Sequence, residues 1–353
     1  MIEGNLLLCL LCNASGRKSE CNIDSDIAWD VLLELADLQG VSAIIADAVE
    51  NVGVQLPRKA KIELAGRVLM HEQQYQQHVE IMTQLAKLYA EAGFRMMILK
   101  GWGLSLDYPV PSHRPTGDLD IWLFGNQKEA DKYLASKNIS IDNGHHHHSV
   151  FYINDVMVEN HYDFINIHVH RSNRNVETKL KELANEYSVE TINGVDVYLP
   201  TANFNSVFLL SHTASHFAST GMSLRNLLDW GFFMKKHGAE IDWEWYVPYV
   251  KQRGMWPFFT ILNSICVNRL GFDSTIFHNY LDESTVSERV LRDVITPEID
   301  IKEDGSLMRS LWVKPTRWWH NRWKHRLCYS DSLFSSFFYG LWAKILKPSH
   351  FIQ

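Results

Sequence analysis

Over about the first 93 residues, apolar side chains recur every three to four positions, which is the spacing of an amphipathic helix. One stretch covers residues 27–38 and ends at Gly40, and a longer one covers residues 57–92 and stops at Gly93. Glycine often follows the last turn of a helix, because it adopts the left-handed conformation without strain. The pattern therefore predicts an N-terminal helical region over residues 1–93.

After Gly93 the pattern changes to short apolar runs separated by turn-forming residues, which is typical of strands. The predicted strands cover residues 94–99, 118–124, 149–153, 156–165, 188–192 and 195–199. Asn154-Asp155 and Asn193-Gly194 join the last four of these in pairs, since such dipeptides favour hairpin turns. A helix is predicted over residues 126–137. Residues 94–200 are expected to form a compact α/β core.

The helical period then returns and predicts a C-terminal helical domain over residues 201–310, followed by a tail over residues 311–353. The tail carries a basic and aromatic cluster formed by Trp312, Arg317, Trp318, Trp319, Arg322, Trp323, Lys324 and Arg326. Such a cluster can dock as a helix whose arginines reach water. It can also bind nucleobases or a membrane surface. Docking is the first interpretation, and the others stay open.

Composition and charge narrow the class of protein. Apolar residues make up 46 % of the chain, as in a packed globular protein, and the net charge of −7 argues against nucleic acid as the main partner. No run approaches the roughly 20 apolar residues of a membrane span. The leucine-rich run near the N-terminus follows Glu3 instead of a basic residue, which argues against a signal peptide. The five cysteines show no regular framework, so we expect buried thiols and a cytoplasmic protein.

Two carboxylates stand out in the second predicted strand. Asp118 and Asp120 are two residues apart, so they share one face of a strand while Leu119 and Ile121 share the other. Two adjacent like charges repel unless something neutralises them. A divalent cation such as magnesium does this well, because it binds one or two carboxylates together with substrate phosphates. The competing interpretation is a solvent-facing strand edge.

The segments around this pair, Met-Met-Ile-Leu-Lys-Gly-Trp-Gly at 96–103 and Arg-Pro-Thr-Gly-Asp-Leu-Asp at 114–120, resemble the DNA polymerase β-type nucleotidyltransferase superfamily. The Lys-Gly and Arg-x-x-Gly-Asp-Leu-Asp form resembles one branch in particular, the bacterial uncharacterised nucleotidyltransferases. The chain departs from the superfamily pattern at Trp102, where glycine or serine usually follows the first glycine. The resemblance implies an α+β fold, with a small mixed β-sheet core flanked by N-terminal and C-terminal helical regions.

The resemblance also implies site residues. Asp118 and Asp120 would hold Mg²⁺ or Mn²⁺, and Lys100 and Arg114 would neutralise the triphosphate of an NTP, with ATP expected. Gly101 and Gly117 belong to the phosphate-binding segments, where glycine lets the backbone approach the ligand.

A third acidic residue is implied on a neighbouring strand. Val158-Glu159-Asn160-His161 resembles the Val-Glu-x-His segment of the branch, which makes Glu159 a metal ligand or the base for the acceptor hydroxyl. A competing register places Asn166 at this position and would leave the site without its third acid. Within the run His145–His148, His148 is a candidate for a place near the substrate, whereas four adjacent histidines cannot all reach one ion on a strand.

One C-terminal residue completes the candidate set. Arg225 lies in a segment that resembles the branch's helical element, and it would lie near phosphate. Because Asp229 follows four residues later, a helix ion pair is the competing explanation.

The expected reaction is the transfer of a nucleoside monophosphate from an NTP to a hydroxyl group, with release of pyrophosphate. The acceptor is a small molecule, a sugar, a peptide or a protein side chain, and the oligomeric state is left open. One alternative is a catalytically inactive nucleotide-binding or regulatory module with the same fold. Another is a partner-docking protein that uses the tryptophan-rich tail.

Overall fold

The computed structural model describes residues 2–17, 19–21, 27–145, 147–297, 316 and 319–336. The chain forms two compact units, Met1–Gln55 with Leu209–Ser335 and Leu56–Phe208 with Ser336–Gln353. The four-part division expected from the sequence stays a prediction.

The described secondary structure follows the predicted order of helices, then strands and helices, then helices. The helices are α1 (Ile2–Ala14), α2 (Trp29–Leu38), α3 (Ser42–Val52), α4 (Arg58–Glu91), α5 (Trp102–Ser105), α6 (Gln127–Ser136), α7 (Asn173–Leu183), α8 (Ala202–Ala218), α9 (Leu224–His237), α10 (Trp243–Gln252), α11 (Trp256–Asn268), α12 (Ser284–Ile295) and α13 (Arg322–Cys328). The strands are β1 (Met97–Ile98), β2 (Leu119–Trp122), β3 (His148–Ile153), β4 (Val156–His161), β5 (Tyr187–Ile192) and β6 (Val195–Pro200).

All of these strands join one mixed sheet in the order β3-β4-β2-β1-β6-β5. β2 runs parallel to β4, and β1 runs parallel to β6, while the remaining neighbours are antiparallel. The expected α+β class with a small mixed sheet is confirmed.

One hydrophobic core supports the sheet. It includes residues from α4, α6 and five strands: Met82, Leu85, Tyr89, Ile98, Leu119, Ile121, Ala130, Leu134, Phe151, Val158 and Val197. Full burial of a large apolar side chain contributes about 1.5–3 kcal/mol. The odd-numbered residues of β2 enter this core, so the alternate residue, Asp120, faces the other way. Trp102 also belongs to the core, which explains how the chain accommodates its departure from the superfamily pattern.

Both predicted hairpins form, and their turn residues have the expected conformation. The φ angles are 46° and 64° at Asn154 and Asp155, and 51° and 78° at Asn193 and Gly194. Two consecutive positive φ angles match the twist of the flanking strands.

Three strands are shorter than predicted, among them β2, which covers Leu119–Trp122 instead of residues 118–124. β1 covers Met97–Ile98 instead of residues 94–99, and β4 ends at His161 instead of residue 165. The end of β4 has a clear cause, because the Glu177 carboxylate accepts hydrogen bonds from the backbone N–H groups of Phe164 and Ile165, each at 3.1 Å. These donors are satisfied by a side chain and take no part in the sheet.

The leucine-rich N-terminal run forms helix α1, whose leucines are buried. The expectation that all cysteines are thiols is wrong for two of them, because Cys9 and Cys21 form a disulfide. The Asn13 side chain donates a hydrogen bond to the backbone carbonyl of Ser19, at 2.9 Å, which holds the returning chain beside the helix. The remaining cysteines, Cys12, Cys266 and Cys328, are free and buried.

The described part of the tryptophan-rich tail packs within its own unit. Trp323 of α13 meets Phe217 edge to face with ring centroids 5.6 Å apart, and the Arg289 guanidinium lies 3.9 Å from the Trp323 ring centroid. Lys324 and Asp293 form a buried ion pair at 2.5 Å. These contacts support docking for α13, whereas Trp312, Arg317 and Trp318 lie outside the described residues.

Among the described helices, none has both the length and the apolar composition needed to cross a membrane.

Candidate active site

The adjacent parallel strands β2 and β4 bring two of the predicted carboxylates together. Asp120 and Glu159 are direct partners in the register of these strands. Asp118 comes just before β2, at the same end of the strand. Asn166 lies beyond the end of β4, outside any strand. The structure therefore places Glu159, and not Asn166, beside Asp120.

Two basic groups contact the same oxygen atom of Asp120. Lys100 Nζ lies 2.9 Å from Asp120 Oδ1, and His161 Nε2 lies 2.8 Å from it. The Asp120 side chain is only 1 % exposed. Burial alone would raise the pKa of Asp120, but the Lys100 charge and the His161 hydrogen bond outweigh it and hold this pKa well below its usual range. Asp120 is therefore an ionised carboxylate in a buried position.

The pKa values of the other two carboxylates, Asp118 and Glu159, shift in opposite directions. Burial and the negative charge of Asp120 raise the pKa of Asp118. Burial also acts to raise the pKa of Glu159, but the His161 hydrogen bond outweighs it, and the net pKa is lowered. His161 Nε2 lies 3.4 Å from Glu159 Oε2, and His148 Nε2 lies 3.6 Å from Glu159 Oε1. Three acidic groups thus interact in one partly buried site, which attracts cations.

Sequence reasoning assigned no role to His161, although it is the group that joins two of the carboxylates. Burial lowers its pKa, but hydrogen bonds to Asp120 and Glu159 overcome this effect and raise the pKa to about 9. His148 faces His161 directly across β3 and β4, and burial lowers the pKa of His148 to about 4. The signal for His161 was the Glu-x-His spacing, which puts both side chains on one face of β4.

The predicted phosphate-binding turn begins at Gly101. Its φ of 55° and ψ of −110° belong to a conformation that is almost restricted to glycine. Arg114 is buried, and its Nη1 donates hydrogen bonds to the carbonyl oxygens of Gly101 and Pro115, at 3.1 and 3.2 Å. Arg114 therefore holds this turn in place. Gly117 is exposed, and a Cβ atom at this position would meet no atom of the described residues within 4 Å.

A buried acid on α6 fixes the opposite face of the site strands. One Asp131 oxygen accepts hydrogen bonds from Ser149 Oγ at 3.0 Å and from Asn160 Nδ2 at 2.8 Å, and the other accepts one from Tyr162 Oη at 3.2 Å. Asn160 lies between Glu159 and His161 in the sequence, so this network sets the position of both. Asp131 was not identified from the sequence, because an acid in an amphipathic helix gives no signal of its own.

Arg225 belongs to the other compact unit, in the first turn of α9. Its Nε atom is buried and has no hydrogen-bond partner in the described part of the chain. The residue lines a cavity of about 450 Å³ together with His216, Thr220 and Met222. Its predicted contact with nucleotide phosphate stays a prediction.

The donor set fits a divalent cation. Asp120, Glu159 and His161 each offer one donor atom, and these atoms all lie within 4.8 Å of one another. Carboxylate oxygens are the ligands that Mg²⁺ and Mn²⁺ prefer. The negative charge of Asp120 raises the pKa of Asp118, but Asp118 is not one of the three residues whose donor atoms come together here.

Comparison with known proteins assigns the chain to a family. A family model described as an uncharacterised nucleotidyltransferase matches residues 25–271, which is more than half of the chain. The matched range includes Lys100, Arg114, Asp118, Asp120, Glu159, His161 and Arg225. No protein of curated function and no solved structure gives a significant match. The chain therefore belongs to the uncharacterised nucleotidyltransferase family.

Proposed function

We propose that the protein transfers a nucleoside monophosphate from an NTP, with ATP the expected donor, to a hydroxyl group of an acceptor and releases pyrophosphate. The observation that carries this proposal is the pairing of Asp120 with Glu159 across two parallel strands, with Asp118 at the end of β2. Family membership supports a nucleotidyltransferase activity.

We assign Asp118, Asp120 and Glu159 as the residues that would hold Mg²⁺ or Mn²⁺. A divalent cation bound there would neutralise the triphosphate and the charge that develops as pyrophosphate leaves. Asp120 is well suited to this role, because it stays ionised although it is buried.

Two elements of the chain would receive the phosphates. The Lys100 ammonium lies 2.9 Å from Asp120 and can compensate negative charge on either this carboxylate or a phosphate. Gly101 has no side chain, so the backbone of its turn leaves room for a ligand. Arg114 keeps the turn in shape through its bonds to the Gly101 and Pro115 carbonyls and adds positive charge behind it.

Glu159 is the candidate base for the acceptor hydroxyl. Its lowered pKa keeps the side chain ionised near neutral pH, and an ionised carboxylate can accept the hydroxyl proton as the new O–P bond forms. His161 and His148 lie 3.4 and 3.6 Å from its two oxygens and orient it.

The test is NTP-dependent pyrophosphate release in the presence of Mg²⁺ and a mixed acceptor pool from cell extract. We expect release by the wild-type protein and none by the Asp118→Ala/Asp120→Ala variant. Glu190→Ala/Asp196→Ala is a matched control, since it removes two exposed acids from the β5–β6 hairpin of the same sheet. A double site variant that releases pyrophosphate as fast as this control would refute the proposal.

One observation favours a second candidate, a nucleotide-binding module without turnover. Lys100 and His161 both contact Asp120, so the chain itself supplies groups that compensate the charge of this carboxylate. Tight NTP binding without pyrophosphate release, at any Mg²⁺ concentration and with every acceptor fraction, would favour this candidate.

A further inference from the structure

The candidate cation site contains nitrogen as well as oxygen donors. His161 Nε2 lies 2.8 Å from Asp120 Oδ1 and 3.4 Å from Glu159 Oε2, so one imidazole nitrogen faces both carboxylates. The His161 side chain is 4 % exposed, and water competes little for this nitrogen. A cation held between Asp120 and Glu159 would therefore meet His161 as well, and binding to Nε2 would release the proton of that nitrogen to solvent.

The second nitrogen of the same ring fixes its orientation. His161 Nδ1 lies 3.2 Å from the backbone carbonyl oxygen of Asp163. A carbonyl oxygen only accepts hydrogen bonds, so Nδ1 carries a proton and donates it there. Metal-binding histidines are commonly held in this way, with one nitrogen donating to a carbonyl or a carboxylate and the other binding the ion.

Two more imidazoles lie beside His161. Donor atoms of His147, His148 and His161 all lie within 4.8 Å of one another. His147 precedes β3, so the alternation of side chains along a strand does not force His147 and His148 apart. The Nδ1 atom of His148 is buried and has no hydrogen-bond partner among the described residues. The nitrogen-rich side of the site is therefore continuous with its carboxylate side.

We propose that His161 is a ligand of the catalytic cation, together with Asp120 and Glu159, and that the site prefers a first-row transition-metal ion such as Mn²⁺ over Mg²⁺. Mg²⁺ binds oxygen donors almost exclusively, whereas imidazole suits first-row transition-metal ions such as Fe²⁺, Ni²⁺ and Zn²⁺. Mn²⁺, which also prefers oxygen donors, is the weakest binder of this series, so a histidine nitrogen bound to it is a stringent test. This inference rests on the proposed function, since it names the metal class of the same site.

The experiment measures Mn²⁺ binding by electron paramagnetic resonance, with a non-hydrolysable ATP analogue present. Electron spin-echo envelope modulation detects nitrogen atoms bound to Mn²⁺, and labelling the protein with ¹⁵N-histidine distinguishes imidazole from adenine nitrogen. We expect a histidine nitrogen signal in the wild-type protein. The signal disappears in His161→Asn, and the Mn²⁺ affinity falls by about tenfold or more.

The matched control is His78→Asn, which removes a buried imidazole from α4, away from the residues assigned to the site. It keeps the nitrogen signal and the Mn²⁺ affinity. If His161→Asn does not fold, the labelled wild-type protein still decides the question, since Mn²⁺ bound without histidine nitrogen overturns the inference.

The outcomes separate this inference from the proposed function. Mn²⁺ bound by oxygen alone, together with Mg²⁺-dependent pyrophosphate release, would overturn the histidine ligand and leave the nucleotidyltransferase intact. Failure of both Mn²⁺ and Mg²⁺ to bind in the presence of nucleotide would overturn both.

Discussion

At the residue scale, the chemistry of this protein depends on how one buried carboxylate is compensated. Asp120 Oδ1 lies within 3 Å of both Lys100 Nζ and His161 Nε2, at 2.9 and 2.8 Å. An uncompensated charge at this depth would cost several kcal/mol. The two cationic groups offset this cost, and they would compete with a bound cation for the same oxygen.

The pH dependence of stability tests this arrangement in the metal-free protein. The pKa of His161 is raised to about 9, so its contribution to stability is complete below pH 6.5 and is lost as the pH rises from 6.5 to about 9. We expect the free energy of unfolding, measured with a chelator present, to fall over this range by up to about 3 kcal/mol.

His161→Asn removes this decrease, whereas His78→Asn retains it. Burial lowers the pKa of His78, so protonation of this residue destabilises the folded protein only as the pH drops below 6.5. His78 therefore does not contribute to a decrease in stability between pH 6.5 and 9. A wild-type stability that stays constant from pH 6.5 to 9 would contradict the ion pair.

Substitutions of Lys100 test whether this residue binds the phosphates of the NTP. We expect Lys100→Met to lower NTP affinity by about tenfold or more, because a charge-assisted contact to phosphate is lost. Lys100→Arg keeps the charge and retains more of the affinity. Isothermal titration calorimetry with a non-hydrolysable analogue gives the comparison, with the thermal midpoint as a check on folding. Wild-type affinity in a folded Lys100→Met protein would remove Lys100 from the site.

Arg225 is tested in the same assay. If it binds phosphate, Arg225→Ala weakens NTP binding by about tenfold, since a charged hydrogen bond contributes about 1.5–3 kcal/mol. Arg253→Ala is the control, because Nε of Arg253 is also buried without a partner in the described part of the chain. Equal affinities of the two variants would show that Arg225 has no role in nucleotide binding.

At the scale of elements, β4 is the strand on which the site depends. It carries Glu159 and His161 on one face, while Asn160 on the other face bonds to Asp131 of α6. Its far end is fixed by Glu177, which accepts the N–H groups of Phe164 and Ile165. The position of the third carboxylate is thus determined by buried polar contacts with two helices.

Removing the Asp131 contacts should lower stability and disturb the site together. Asp131→Ala leaves the buried side chains of Ser149 and Asn160 without their acceptor, at a cost of about 1–3 kcal/mol for each buried group. We expect a lower midpoint in urea and weaker cation binding. Glu129→Ala, which removes an exposed acid from the same helix α6, is the control. A cation affinity equal to that of this control would show that the network supports only the fold.

The sequence predicted the elements where local chemistry decides the structure. Asn154-Asp155 and Asn193-Gly194 formed the expected hairpin turns because two positive φ angles suit these residues. The register of β4 beside β2 depends on contacts distant in the sequence, so the choice between Glu159 and Asn166 stayed open until the fold was known. The roles of His161 and Asp131 were missed for the same reason, since their partners lie 41 and 29 residues away.

At the scale of the whole molecule, the chain contains two compact units, and the tail contributes to one of them through α13. Lys324 and Asp293 form a buried ion pair there, with side chains 6 % and 3 % exposed. The basic residues of the tail are therefore not all available for a partner. At least one has a structural role.

Breaking this pair should destabilise the protein strongly. Lys324→Met removes the cationic partner of the buried Asp293 carboxylate, and breaking a buried ion pair in this way costs about 3–5 kcal/mol. Lys324→Met/Asp293→Leu removes both charges and should recover most of the loss. Chemical denaturation of the wild-type protein and the two variants provides the measurement. A single variant as stable as the double variant would show that Asp293 is compensated by other groups.

The Cys9–Cys21 bond has a consequence for where the protein works. Reducing compartments keep such pairs as dithiols, whereas oxidising ones keep them joined. A cytoplasmic location predicts two thiols at these positions, whereas the structure has a disulfide there. The redox state of Cys9 and Cys21 in cells therefore indicates the compartment in which the protein is found. This state can be measured by alkylating free thiols at the moment of cell lysis. Alkylation of both cysteines would indicate a reducing environment. An intact disulfide would indicate an oxidising one.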